Sequence, residues 1–136
     1  MKRRMVIAAV AAMSMMSLSG TAARAAGSSA PDVVVIPLDP GSRSYLPLLD
    51  GPPQTKSFHA GLVILAPGEA VGKHSTKDCE EMLVPLAGEG ELRIAGRPAI
   101  HLKPDLITYT PPRTEHDVVN TGKASFRYIY ITAKAD

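Results

Sequence analysis

Short runs of β-branched and aromatic residues, separated by glycine and proline, recur along most of this sequence. The runs that predict strands are residues 33–36, 57–65, 81–86, 89–94, 106–110, 117–119 and 126–132. No segment beyond residue 31 repeats its apolar positions at a helical period, and 12 prolines and 11 glycines, which break helices, are spread along the chain. Several short strands at regular spacing predict an all-β sandwich or barrel.

The last of these runs predicts a strand that is covered on both sides. Side chains alternate between the two faces of a strand, so Phe126, Tyr128 and Tyr130 share one face. Ile129 and Ile131 share the other face, so both faces are largely apolar. Such a strand fits the wall of a barrel whose outer face packs against another sheet or a second subunit.

The start of the chain has the order of a secretory signal peptide. Residues 2–4 are basic, residues 5–18 carry no charge, and Ala23-Arg24-Ala25 places small residues where a signal peptidase reads them. An uncleaved anchor is the alternative, but the apolar run is short for a bilayer. The chain then divides into a signal peptide at residues 1–25, a flexible leader at 26–31 and one domain at 32–136. We expect a periplasmic or secreted protein that leaves the membrane after cleavage.

Cleavage would also change the net charge. The whole chain has 15 Lys and Arg residues against 13 Asp and Glu residues, a net charge of +2. Four of the basic residues precede the cleavage site, so 11 against 13 leaves a net charge of −2. Since no basic patch is interleaved with aromatic residues, we expect no binding to nucleic acid. Cys79 is the one cysteine, so the exported protein would have no internal disulfide.

Residues 68–88 contain polar side chains at spacings that suggest a metal site. The string runs from Gly68 through His74, Thr76 and Glu81 to Gly88, and reads G-x5-H-x-T-x4-E-x6-G. It resembles the first motif of the cupin superfamily, with Thr76 where that motif has a second histidine. Both glycines, the first histidine, the glutamate and every spacing agree.

A second motif of that superfamily has its counterpart in the stretch PPRTEHDVVN at residues 111–120. Pro111, His116 and Asn120 stand at the expected intervals. Arg113 replaces the usual glycine, and the motif's opening glycine is absent. The sequence is therefore identified as a small single-domain cupin. This resemblance implies a double-stranded β-helix, also called a jelly-roll or cupin barrel, often dimeric and with a ligand site inside.

The residue types favour a mononuclear metal site independently of the resemblance to cupins. Two imidazoles and one carboxylate with open coordination positions suit iron, manganese, nickel or zinc. His74, Glu81 and His116 are the predicted ligands, because the ends of separate strands can meet in a barrel. Thr76 would be a poor ligand. We therefore expect either a three-residue site with an extra open position or a weakened, empty site.

Several neighbours of these residues have less defined roles. Glu80 precedes Glu81 on the predicted strand and would face away from the metal. Cys79 could be a soft ligand, although a small buried residue is the simpler interpretation. The other predicted contributors to a substrate pocket are Thr76, His59, Tyr109 and Arg113. Asn120 is expected to be a turn residue, since Thr121 and Gly122 follow it.

Two kinds of function are compatible with this site. The first is a metal-dependent dioxygenase or isomerase that acts on a small organic molecule. The second is a non-catalytic protein that binds a sugar or a small acid, which the missing second histidine favours. A structural role for the outer sheet is a third interpretation. The fold cannot choose among them, because one fold hosts many functions.

Overall fold

Nine strands form over residues 31–136, the part of the chain that this computed structural model describes. Their bounds are β1 Leu46–Asp50, β2 Phe58–Leu65, β3 His74–Ser75, β4 Cys79–Ala87, β5 Gly90–Ile94, β6 Ile100–Leu102, β7 Thr108–Thr110, β8 Glu115–Val119 and β9 Phe126–Lys134. Within these residues no helix is long and apolar enough to cross a bilayer. The predicted signal peptide, and the predicted leader except for its last residue, lie outside the described residues.

The strands form two antiparallel sheets that share one apolar core. One sheet has the order β1-β2-β9-β4-β7, and the other has the order β3-β8-β5-β6. Leu83 and Phe126 from the first sheet and Leu92, Leu102 and Val118 from the second belong to one cluster of buried side chains. The inner faces therefore pack against each other, which confirms the predicted all-β, jelly-roll architecture.

Strand β9 lies in the middle of the five-stranded sheet and supplies much of the core. Phe126, Tyr128 and Tyr130 are 0%, 3% and 7% exposed, so the face that they share is the one that faces the core. The rings of Phe126 and Tyr128 stack with their centroids 5.2 Å apart. Burying a side chain of this size stabilises the fold by about 2–3 kcal/mol. Ile129 and Ile131, on the opposite face of β9, are only half-buried.

The strand prediction for residues 33–36 is wrong. Val33 and Val35 are 90% and 89% exposed, and this segment joins no sheet. β-branched residues favour strands mainly through packing against neighbouring strands, and this run has no partner. Pro31 and Pro37, which bracket it, have no N–H to donate to a sheet.

Three strands were not predicted, namely β1, β3 and β6. Strand β1 contains Pro47 and a break in its pairing with β2, as an edge strand can. Strands β3 and β6 have two and three residues. Such short segments are fixed by their partner strands and show no periodicity of their own.

Asn120 fixes the end of β8 against the end of β2. Its side-chain Nδ2 donates to the carbonyls of Leu65 and Ala124, both at 2.8 Å. Its Oδ1 accepts the N–H of Gly122 at 2.8 Å, which confirms the predicted turn role. The Asn120 carbonyl also accepts the N–H of Gly68 at 3.0 Å. These bonds hold the two predicted motifs together at one end of the fold.

Candidate metal centre

Three strands bring two imidazoles and one carboxylate to a common point. His74 on β3 pairs directly with His116 on β8, and their ring centroids are 4.3 Å apart. Strand β4 belongs to the other sheet and contributes Glu81. One donor atom from each of the three residues lies within 4.8 Å of the other two. The predicted ligand residues therefore converge between the sheets as a possible metal-binding cluster.

Each histidine ring is oriented by a carbonyl two residues before it. His74 Nδ1 lies 2.7 Å from the Gly72 carbonyl, and His116 Nδ1 lies 3.1 Å from the Thr114 carbonyl. A carbonyl oxygen can only accept, so each Nδ1 must carry the proton. The neutral ring then keeps an unprotonated Nε2, which is the form that binds a metal.

Two of the three donor atoms are buried without a hydrogen bond. His116 is 1% exposed and Glu81 is 5% exposed. Their Nε2 and Oε2 atoms are 2.9 Å apart, but the neutral His116 ring carries its proton on Nδ1, so no hydrogen bond joins them. Burying polar atoms in this way is costly unless something else binds them. Two ligands about 2.1 Å from a metal and at right angles to each other lie about 3.0 Å apart, so the pair fits a shared ion.

The Glu81 carboxylate also changes the acidity of His116. Burial lowers the pKa of the imidazole, because it disfavours the charged form. The close contact with Glu81 and its negative charge act in the opposite direction, helped by the Thr114 carbonyl and Asp117. The net result is a pKa above the ordinary 6.5. In the metal-free protein a proton can therefore occupy the space between the two side chains.

Thr76 lines the site but has already used its hydroxyl group. The Oγ1 atom donates to the Pro111 carbonyl at 2.8 Å and accepts the Thr114 N–H at 3.0 Å. The backbone N–H of Thr76 donates to the Thr114 carbonyl at 3.2 Å. Thr76 therefore ties the loop after His74 to the loop before His116, instead of offering its oxygen to a ligand.

A cavity of about 160 Å³ opens onto the three donor residues. Its wall is formed by residues of β3, β4, β8, β9 and the loop after β3, most of which carry a polar group. The lining residues are His74, Ser75, Thr76, Lys77, Cys79, Glu81, His116 and Thr132. Ser75, Lys77, Cys79 and Thr132 were not predicted as pocket residues. Thr132 could have been found only from the strand register, which pairs it with Glu81.

Tyr109 and His59 do not line this cavity, contrary to the sequence-based prediction. Tyr109 is 61% exposed, and its hydroxyl donates to Glu80 at 3.1 Å on the outer face of the sheet. The neighbouring Thr110 pairs with Glu81 and takes the inner position, so Tyr109 must point outward. His59 lies two strands away from Glu81 and contacts Asp50 at 3.3 Å.

Arg113 is also outside the cavity lining. Its side chain is exposed, and its backbone has a positive φ of 57° where the second cupin motif usually has glycine. The Arg113 N–H donates to the Lys77 carbonyl at 2.8 Å. The residue therefore shapes the loop before His116 through its backbone. Glu80 faces away from the site and contacts Tyr109, as predicted.

Residues 61–132 match the family model of the cupin domain. This chain belongs to the cupin family. The matched segment contains all three donor residues of the candidate metal centre. A search of the curated proteins finds no match to the chain.

Solved cupin structures resemble this chain at low sequence identity. A cupin 2 conserved barrel protein from Salinispora arenicola is 23% identical with a TM-score of 0.64, over 76% of this chain and 91% of its own. An RmlC-like cupin from Methanocaldococcus jannaschii is 16% identical with a TM-score of 0.62, over 75% and 91%. The Cnp3 cupin domain of Schizosaccharomyces pombe is 23% identical with a TM-score of 0.59, over 66% and 63%. Similarity at this level establishes the double-stranded β-helix and leaves the activity open.

Proposed function

We propose that this cupin binds one divalent transition metal through His74 Nε2, His116 Nε2 and the Glu81 carboxylate. The proposed activity is that of a metal-dependent dioxygenase or isomerase of a small organic molecule. The observation that carries the proposal is the buried pair of Glu81 Oε2 and His116 Nε2, which lie 2.9 Å apart and have no hydrogen bond while the imidazole is neutral. A divalent ion would satisfy both atoms at once.

The donor set determines which chemistry a bound metal would supply. Two neutral imidazoles and one carboxylate leave open positions, where iron, manganese, nickel or zinc could polarise a carbonyl, or a redox-active ion could activate dioxygen. The protein's own contribution is to hold both Nε2 atoms toward the cavity. It does so through the carbonyls of Gly72 and Thr114. Both rings are therefore held by backbone carbonyls before a metal binds.

The cavity sets the size and polarity of the ligand. A volume of about 160 Å³ corresponds to roughly five water molecules at about 30 Å³ each. The hydroxyl of Thr132, which pairs with Glu81 in the sheet, can hydrogen-bond a polar ligand, and the positive charge of Lys77 favours an acidic one. A small hydroxylated or acidic molecule therefore fits better than an extended apolar one.

A second candidate function is binding without catalysis. Among the described residues that line the cavity, Glu81 is the only carboxylate, and it is already assigned to the metal. This leaves no separate carboxylate in the wall to act as a general base. A protein that captures a sugar or a small acid at the metal would need none. This candidate keeps the same metal ligands and differs only in the fate of the bound molecule.

The proposed function includes export to the periplasm or the medium. Its support is the basic, apolar and small-residue order of residues 1–25. Amino-terminal sequencing of the protein recovered from the expressing cells would test it. A mature form starting near residue 26 is expected, and an intact Met1 in the soluble fraction would contradict export.

The decisive experiment is metal analysis of the purified protein after removal and readdition of metal. We expect one ion per chain in the wild type and in His101→Ala, because the exposed His101 lies 3.9 Å from Glu89 and is not part of the cavity lining. His116→Ala should lose the ion. Oxygen uptake with catechol-like or enolic compounds, and isomerisation assays, would then separate an enzyme from a binder. A wild type that takes up no metal would overturn the proposal.

A further inference from the structure

The candidate metal centre has a fourth side chain of a ligand type in its wall. Cys79 is the first residue of β4 and lies two positions before Glu81, so both side chains project from the same face of the strand. Its thiol is free and half-buried, and it lines the same cavity as the three donor residues. Thiolate sulfur is a ligand that zinc and cobalt accept readily.

Cys79 also lies next to the position where the family motif has its second histidine. Thr76 occupies that position, and its hydroxyl is bonded to Pro111 and Thr114. The Cys79 N–H donates to the Thr76 carbonyl at 2.9 Å, closing a tight turn between the two residues. The remaining wall residues, Ser75, Lys77 and Thr132, are not metal ligands of comparable strength. Cys79 is therefore the side chain best placed to take over the missing ligand.

A second observation indicates that a ligand belongs in this cavity. Glu81 Oε2 and His116 Nε2 are buried atoms without hydrogen bonds, and both residues line it. The half-buried Cys79 thiol thus shares its cavity with two buried lone-pair atoms that have no hydrogen bond while His116 is neutral.

We propose that Cys79 supplies a thiolate as the fourth protein ligand of the metal. This inference rests on the proposed function, because it uses the same ion. Cys79 Sγ is not part of the group of donor atoms within 4.8 Å of one another, so its side chain must rotate about the Cα–Cβ bond to approach the ion. The thiol gives its proton to the solvent as the sulfur–metal bond forms, and no electron is transferred.

A thiolate ligand changes which metal the site prefers. Soft sulfur favours zinc over manganese, whereas two imidazoles and a carboxylate alone accept either ion. A metal preference that depends on Cys79 is the functional consequence. The turn from Thr76 to Cys79 would then determine metal selectivity in this chain.

Cobalt(II) absorption tests the inference directly. Cys79 is the only cysteine of the chain, so a thiolate-to-cobalt charge-transfer band in the near ultraviolet can come from no other residue. We expect this band in the reduced wild type and in Ser75→Ala, a control within the same cavity wall. Cys79→Ser should bind cobalt without the band and lose at least about tenfold in zinc affinity.

An alkylation measurement on the wild type tests the inference even if Cys79→Ser fails to fold. Zinc should slow the reaction of the Cys79 thiol with iodoacetamide in the wild type and leave it unchanged in His116→Ala. Visible cobalt absorption without the charge-transfer band, and unprotected alkylation, would overturn the inference while the proposed metal site stands. If the wild type binds neither cobalt nor zinc, both the proposed function and the inference about Cys79 fail.

Discussion

His74 and His116 stand directly opposite each other in the pairing of β3 with β8, with their ring planes inclined by 58°. Each Nδ1 donates to the carbonyl two residues earlier in the same chain segment. The direction of both Nε2 atoms is therefore set by backbone carbonyls that lie just before the paired strands β3 and β8. A site built in this way depends on residues that hold those carbonyls in place.

Asp117 is expected to position His74 without touching a metal. Its carboxylate accepts the Gly72 N–H at 2.9 Å, and the carbonyl of the same glycine orients the His74 ring. Asp117→Ala should weaken zinc binding by up to about tenfold, the lower end of the loss for direct partners of metal ligands, because it acts through Gly72. Competition with a chromophoric chelator would measure the affinity.

Two variants make the Asp117 experiment specific. Asp117→Asn keeps an acceptor oxygen for Gly72 and should restore much of the affinity. Glu115→Ala removes a nearby exposed carboxylate that pairs with Lys73 at 2.9 Å. This control variant should leave the zinc affinity unchanged. Equal zinc affinities for Asp117→Ala and Glu115→Ala would show that Asp117 has no positioning role.

Thr76 should contribute to stability more than to metal binding. Thr76→Val removes the partner of the Pro111 carbonyl and of the Thr114 N–H. The expected loss in the free energy of unfolding is about 1–3 kcal/mol, measured by urea denaturation of the metal-free protein. Thr76→Ser should recover most of it, since serine can make both bonds. Thr121→Val, the same change at an exposed threonine, should leave the free energy of unfolding nearly unchanged. A similar loss of stability in Thr121→Val would contradict the role given to the Thr76 contacts.

The two glycines that bound the first motif are required for different reasons. Both have positive φ angles, 79° at Gly68 and 77° at Gly88. A Cβ at Gly68 would meet nothing within 4 Å, so Gly68→Ala should cost only the strain of a left-handed residue, about 1–2 kcal/mol. A Cβ at Gly88 would lie 2.3 Å from the Ser125 carbonyl oxygen, which belongs to backbone. Gly88→Ala should cost on the order of 4 kcal/mol or prevent folding. Thermal denaturation would compare them, and equal losses would contradict this account.

The three metal-ligand candidates could be predicted because their spacing is tied to strand ends. His74, Glu81 and His116 were identified from motif intervals alone, and the structure brings them together. The orientation of Tyr109 could not be obtained in this way, because it depends on which residue of β4 it pairs with. That residue is Met82, whose side chain is partly exposed on the outer face.

The parts of the fold that escaped prediction are those that depend on distant partners. Residues 33–36 have the composition of a strand, yet no neighbour pairs with them. The two residues of β3 show no pattern, yet pairing with β8 makes them a strand. The hydrogen bonds of Thr76 to residues 111 and 114 likewise depend on contacts that the sequence does not display. Local patterns predict which segments are apolar, whereas register determines which of them meet.

The last prediction concerns alkaline pH and follows from the tyrosines of β9. Burial raises the pKa of Tyr130 above the ordinary 10.0, and the hydrogen bond with the Tyr45 hydroxyl at 2.8 Å adds to the effect. Burial also raises the pKa of Tyr128 well above that value. The folded protein thus keeps both protons at a pH where the unfolded chain has lost them.

The sign of the effect follows from this difference in proton binding. The stabilisation is complete below about pH 10 and falls as the pH rises from there toward the folded-state pKa values, by up to about 1.4 kcal/mol per pH unit for each tyrosine. Urea denaturation across this range should show a shallower decline for Tyr130→Phe than for the wild type. Tyr45→Phe loses the same hydrogen bond, about 1 kcal/mol at neutral pH, but keeps the Tyr130 hydroxyl and should retain a steep decline. Parallel curves for the wild type and Tyr130→Phe above pH 10 would mean that Tyr130 ionises in the folded protein as easily as in the unfolded chain.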